Sequence, residues 1–234
     1  MAIYVTSDLH GLQKNDFIAL LKKAHFTNDD WLYILGDVID RENDGGIELL
    51  SWIMMRDNME LILGEHESML LSCAFVFDSG AQSAAKFTPE QMMHLKKYMA
   101  NGGDVTLKAL KELNETSPES VNDILDYLSE ALPYEMVNAG GKDFLLVHAG
   151  LDNFDKSKKL GDYTAEELTT KSPDISQKYF DDIITVFGHT PTDFYGSEYD
   201  GKILKTETWI DIDVGVPDNS PVLLRLDDMK EFYL

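Results

Sequence analysis

Short apolar runs closed by polar loops alternate with segments whose apolar residues recur every three or four positions. Residues 3–6 form a run that ends in Ser7-Asp8, which reads as a strand and its loop. Phe17, Leu20, Leu21 and Ala24 then share one helical face, with Asn15 or Asp16 as the expected N-cap. Residues 31–35 read as a buried strand closed by Gly36-Asp37, residues 47–55 as a helix, and residues 59–63 as a third strand closed by Gly64-Glu65. Repeated strand–loop–helix units predict an α/β fold with parallel pairing. Ligands of such folds gather at the carboxyl ends of the strands.

The pattern changes after residue 66. Helical spacing runs through 68–77, 89–100, 105–113 and 118–131, broken at Ser79-Gly80, Asn101-Gly102-Gly103 and Ser117-Pro118. These segments predict a helical insertion over about 67–132, serving as a cap or as one flank of a cleft. Strands return at 134–138 and 143–148, joined by Ala139-Gly140-Gly141-Lys142 as a hairpin. A polar stretch over 152–181 precedes a strand at 183–187 that enters Gly188-His189-Thr190. Residues 203–205, 209–212, 222–226 and 231–233 read as successive antiparallel strands. With no repeat or linker, the expectation is one domain over 1–234 carrying the insertion.

Composition narrows the function. The chain has 234 residues, enough to bury roughly 70% of its unfolded surface without a disulfide or structural metal. Cys73 is the single cysteine, which excludes an internal disulfide and a thiolate zinc cluster. No run nears the ~20 apolar residues of a membrane span. Residues 1–8 show no signal-peptide pattern, so a cytoplasmic protein is expected. The net charge of −22 disfavours nucleic acid and anionic lipid as partners. Only Arg41, Arg56 and Arg225 carry guanidinium groups, so any phosphate site must be local and supported by metal cations. Nothing in the pattern specifies an oligomer.

The candidate chemistry lies in five loops, each following a predicted strand: Asp8-Leu9-His10, Gly36-Asp37-Val38-Ile39-Asp40-Arg41, Gly64-Glu65-His66-Glu67, His148 and Gly188-His189-Thr190. Four of the six histidines fall there, while His25 and His94 match no motif and read as surface or packing residues. Carboxylate and imidazole without thiolate suit Mn, Fe, Zn or Ni. Asp8 and His10, two apart on an extended segment, can reach one ion together. Asp37 is a candidate bridge between two ions, in a site built for in-line displacement at phosphorus.

In this order and spacing the motifs resemble the calcineurin-like metallophosphoesterases, and within them the compact bacterial and phage phosphoprotein phosphatases. Softer matches are Asn101-Gly102-Gly103 and Leu145-Leu146-Val147-His148-Ala149-Gly150. The resemblance implies a four-layer αββα sandwich of two mixed β-sheets. It implies two divalent metal ions, manganese first among the candidates. Asp8, His10 and Asp37 would hold one, and Asp37, the residue at 65, His148 and His189 the other. A hydroxide bridging them would attack phosphorus. His66 would protonate the leaving oxygen, Asp40 would orient His66, and Arg41 would grip the phosphate through its forked guanidinium.

Two departures from the family pattern stand out. Glu65 occupies the family's Asn position, where an ionised carboxylate can ligate a metal but cannot donate to phosphate. Tighter second-metal binding is expected, with a loss of ~10²-fold or more in turnover. The family's second phosphate-binding arginine is also missing between His148 and His189, with Lys171 as its weak substitute. The expected function is therefore a metal-dependent phosphomonoesterase acting on a phosphorylated protein or a small phosphate ester. The alternatives are a dinucleoside polyphosphate hydrolase, which the scarcity of arginine disfavours, and a degenerate phosphate-binding homologue motivated by Glu65.

Overall fold

The computed structural model describes residues 1–77 and 87–234. The expected break at Ser79-Gly80 lies outside the described residues. Strands β1 (Ile3–Thr6), β2 (Trp31–Ile34) and β3 (Met59–Leu61) pair in parallel. Helices α1 (Lys14–Lys23) and α2 (Ile47–Ile53) connect them. Two late strands, β9 (Val222–Arg225) and β10 (Lys230–Tyr233), complete a five-stranded mixed sheet in the order β10-β9-β1-β2-β3. The second mixed sheet takes the order β4-β5-β6-β8-β7. Its strands are β4 (Tyr134–Ala139), β5 (Lys142–Val147), β6 (Ile183–Phe187), β7 (Leu204–Lys205) and β8 (Trp209–Asp211).

Period-two alternation explains how the sheets stack. Val5, Leu35, Val222 and Leu224 of the first sheet and its ends meet Phe144, Leu146, Val186 and Ile210 of the second in one buried cluster. The alternate residues face outward. Tyr4, Leu32, Ile34 and Leu223 pack under α1, α2, α3 (Glu65–Leu71), α5 (Asp104–Thr116) and α6 (Pro118–Ser129). Leu145, Val147, Phe187 and Trp209 pack under α7 (Ala165–Thr169) and its neighbouring loops. Two mixed sheets back to back, covered on both outer faces, are the expected α/β sandwich. Leu107 and Leu110 of α5 and Val121, Ile124 and Leu128 of α6 share the core of the first sheet's outer face, so this part of the expected insertion forms a flank.

Three local expectations change. Neither Asn15 nor Asp16 caps α1: Gln13 holds the cap position in extended conformation without a side-chain cap bond, and Asp16 sits inside the first turn. There its charge still favours the positive end of the helix dipole. The segment expected as one helix over 68–77 divides into α3 and a 3₁₀ turn, Ala74–Phe77. The last four strands are not one antiparallel run. β7 and β8 pair antiparallel, as do β9 and β10, but β8 lies parallel to β6. Between β8 and β9 the chain crosses to the other sheet, where β9 pairs with the open edge of β1. Short apolar runs carry no information about which edge they will join. Among the described residues no helix is long and apolar enough to cross a membrane.

Candidate metal centre

The carboxyl ends of β1, β2, β3, β5 and β6 converge, and the chain turns sharply after β1, β2 and β6. Asp8, His10, Asp37, Asp40, Arg41 and His189 all adopt positive φ, a conformation that costs energy for residues other than glycine. Gly36 makes the approach possible. It has φ +83°, and a Cβ there would stand 2.5 Å from Gly64 Cα and 2.7 Å from His148 Nδ1.

Asp37 is the hub. Its Oδ1 accepts the His66 backbone N–H at 2.9 Å, and its Oδ2 lies 3.4 Å from His148 Nε2 and 3.9 Å from His66 Nε2. Two sets of donor atoms share it: His10, Asp37 and His66, and Asp37, His148 and His189, each set within 4.8 Å. Asp8 adds a carboxylate beside them. Its Oδ2 accepts from the Ser7 hydroxyl and from the His189 N–H at 2.9 Å, while its buried Oδ1 has no partner and lies 3.9 Å from His10 Nε2.

The backbone sets the imidazoles. His148 Nδ1 donates to the Leu35 carbonyl at 2.6 Å, leaving the buried Nε2 unpartnered. His10 Nδ1 lies 3.3 Å from the Ile39 carbonyl, which likewise turns Nε2 inward. His189 Nδ1 is also buried without a partner. Once deprotonated, these converging buried imidazoles and carboxylates, without thiolate, fit divalent cations of the manganese, iron, zinc and nickel group.

The ionisation of the site reflects this crowding. Burial drives the Asp8 pKa up to about 6 and the His10 pKa down to about 3. At Asp37, burial alone would raise the pKa, but the facing His148, His66 and His10 hold it well below the usual carboxylate range. At His148, burial opposes charge and the Asp37 carboxylate overrides it, moving the pKa up to about 10. Burial and the charge of His148 depress His189.

A second unit stands beside the first. His66 Nδ1 donates to Asp40 Oδ2 at 2.6 Å. Asp40 is fully buried, and its Oδ1 accepts from the Tyr98 hydroxyl at 2.6 Å and the Thr106 hydroxyl at 2.5 Å. Burial disfavours the His66 cation, yet the Asp40 hydrogen bond and the charges of Asp37 and Asp40 raise its pKa overall. Arg41 is exposed, with Nη2 3.5 Å from His66 Nε2. Its backbone N–H donates to the Gly102 carbonyl at 3.1 Å. Asn101-Gly102-Gly103 thus contributes by shape: a Cβ at Gly103 would sit 2.4 Å from the Tyr98 ring.

Two expected site residues stand apart. Glu65 belongs to neither donor set, and its carboxylate faces Lys97 Nζ of α4 (Pro89–Ala100) at 3.3 Å. Lys171 is exposed and pairs with Asp152 at 2.7 Å, away from the cluster's contacts. Other residues contribute without having been singled out. Glu67 is buried and accepts the N–H groups of Asp37 at 2.8 Å and Val38 at 2.9 Å, which holds the hub loop. Burial and the Asp37 charge raise its pKa to about 7. A charged residue three before Leu70, on the buried face of α3, was the available signal. Tyr98 and Thr106 gave none, since only tertiary packing brings them to Asp40. Asp211 and Asp213 are buried close behind; burial raises both well above the usual range, with the Asp213 charge adding at Asp211 and the Asp8 charge adding at Asp213.

A double-sheet sandwich thus carries a shared carboxylate, a ring of inward imidazoles and a histidine–aspartate pair at one edge. The chain belongs to the calcineurin-like phosphoesterase family, whose model matches residues 1–214. That family depends on a binuclear metal centre. A symmetrical bis(5'-nucleosyl)-tetraphosphatase of Acidovorax sp. (strain JS42) is 25% identical over 207 residues, 86% of this chain and 61% of that protein. The chain therefore spans less than two thirds of the length of such relatives. A solved structure whose name offers it as a diadenosine tetraphosphatase matches with TM-score 0.63 and 15% identity, over 99% of this chain and 92% of that one. A serine/threonine phosphatase from Saccharomyces cerevisiae with similarity to human phosphatase PP5 matches with TM-score 0.58 and 15% identity, over 100% of this chain and 80% of that one. These two likenesses establish the shared fold.

Proposed function

We propose that the chain is a metal-dependent phosphomonoesterase whose substrates are phosphoserine, phosphothreonine or phosphotyrosine side chains. The observation that carries this reading is one cluster holding the Asp37 hub, the His66–Asp40 pair and Arg41. Asp8, His10 and Asp37 would hold a first divalent cation, and Asp37, His148 and His189 a second, with manganese the first choice. Glu65 would join the second set only by leaving Lys97. When bound, such a pair supplies an activated hydroxide and draws charge from the phosphate oxygens. The chain's own groups do the rest. Arg41 orients the phosphate through its fork. His66 delivers its Nε2 proton to the departing oxygen, and Asp40 holds the ring and favours the cation that gives the proton.

The relatives named tetraphosphatases favour a second reading, hydrolysis of dinucleoside polyphosphates. A long polyanion calls for several cations. Arg56 instead lies over the Trp52 ring at 4.4 Å, and Arg225 is paired with Asp228 at 2.7 Å. The two readings separate when metal-stripped protein is reloaded with Mn²⁺ and given p-nitrophenyl phosphate, phosphopeptides and diadenosine tetraphosphate. Higher kcat/KM on the monoesters supports the first reading. Preference for the tetraphosphate replaces it with the second.

A further inference from the structure

Three helix faces line a cleft of about 320 Å³ that Glu65, the residue before His66, borders. Glu65, Ser68 and Met69 face it from α3, at helical spacing. Met93, His94 and Lys97 face it from α4 with the same spacing, and α7 closes the far side. A carboxylate at position 65, immediately before His66, is an obstacle to an incoming phosphate. The site already gathers Asp8, Asp37, Asp40, Asp211 and Asp213, while Arg41 is the cation beside His66. Lys97 is the cation that meets Glu65, with Nζ 3.3 Å from Oε1. The lysine side chain is 59% exposed and the glutamate 22%, so the ammonium stands on the solvent side, where a substrate arrives.

The position of Lys97 is built into α4. The next residue, Tyr98, is fully buried and bonded to Asp40, and Gly102 just beyond the helix holds the Arg41 backbone. One element thus orients the proton donor's partner, seats the arginine and places the ammonium. As an ion pair between partly exposed groups, Lys97–Glu65 adds little to folding stability. Stability gives little reason for it.

We propose that Lys97 is a positioning residue for the phosphate ester: it neutralises the Glu65 carboxylate at the mouth of the cleft, so that the dianionic substrate reaches Arg41 and His66. The proposal rests on the phosphomonoesterase reading. A neutralised Glu65–Lys97 pair presents the approaching dianion with no net charge, whereas Glu65 alone repels it at short range.

The test is a double-mutant cycle on the Mn²⁺-loaded full chain. In the natural background, Lys97→Met is expected to raise KM for p-nitrophenyl phosphate about tenfold, a typical Coulomb effect near a protein surface, and to leave kcat within about twofold. Lys97→Arg is expected to keep the natural KM. The Glu65→Gln/Lys97→Met double variant, which again presents no net charge, is expected to return KM to within about twofold of the natural value. Calorimetric titration with inorganic phosphate supplies a readout without turnover, and Kd should move as KM does. Unchanged KM and Kd in Lys97→Met overturn the proposal, as does a double variant whose KM stays as high as that of Lys97→Met. If the natural protein turns over no monoester yet Lys97→Met weakens phosphate binding, the functional reading falls and Lys97 keeps its role. If it neither turns over a monoester nor binds phosphate, both fall.

Discussion

Asp40→Asn keeps the shape of the pocket behind His66 and removes its charge. In the natural protein Oδ1 accepts from Tyr98 and Thr106, and Oδ2 accepts the His66 Nδ1 proton at 2.6 Å. An asparagine keeps an acceptor for the two hydroxyls and turns its amide toward the ring. The amide can only donate there, so Nδ1 must accept and the doubly protonated ring is disfavoured. A hydrogen bond to a charged group is worth about 1.5–3 kcal/mol. At about 1.36 kcal/mol per decade, that is roughly 10- to 150-fold in kcat wherever proton delivery limits the rate. The leaving group makes the prediction specific. Nitrophenolate departs readily without a proton, whereas the alkoxide of phosphoserine does not. Parallel kcat measurements on p-nitrophenyl phosphate and a phosphoserine peptide should therefore show a much larger loss on the peptide, with the melting temperature confirming an intact fold. Equal losses on both esters, or a peptide kcat within about threefold of natural, would refute the assignment of His66 and Asp40.

Further expectations concern the hub, the buried carboxylates and position 65. Glu67→Ala strands the buried N–H groups of Asp37 and Val38 and should cost about 3 kcal/mol in urea unfolding of the metal-free protein; a loss under about 1 kcal/mol would contradict its role as a loop clamp. Asp211 has a folded pKa raised by burial and the Asp213 charge, so its contribution to stability is greatest below the unfolded value of ~3.9 and is lost as pH rises toward the folded pKa. In chelator, Asp211→Asn should flatten the fall in stability above about pH 4, where one shifted acid contributes about 1.4 kcal/mol per pH unit; parallel curves would count against it. Glu65→Asn should raise kcat/KM on p-nitrophenyl phosphate about tenfold or more by adding a donor and removing a charge, and a fall would show that the carboxylate is needed.

The motif loops were legible because each follows a strand whose apolar pattern is strong, and parallel α/β pairing sends such loops to one edge. Asp8, His10, Asp37, His66, His148 and His189 assemble there as their positions implied. Glu67 lay in plain view inside Gly64-Glu65-His66-Glu67, and its place on the apolar face of α3 marks it as buried, but only the fold shows that it clamps three successive backbone donors. Lys171 shows the converse. Placement in the chain suggested a phosphate contact, and the fold leaves its ammonium on Asp152.

Local chemistry alone determined the elements and the donor types: apolar periodicity selects strand or helix, and carboxylate with imidazole selects hard or borderline cations. Tertiary structure decided everything that depends on partners distant in sequence. It sent β8 and β9 to different sheets, gave Asp40 the Tyr98 and Thr106 hydroxyls from 58 and 66 positions away, and turned Glu65 to Lys97 across 32. The physical reason is that a residue's periodic neighbours are set by the backbone it belongs to, whereas a buried charge takes its ionisation and orientation from whatever the packed core brings against it.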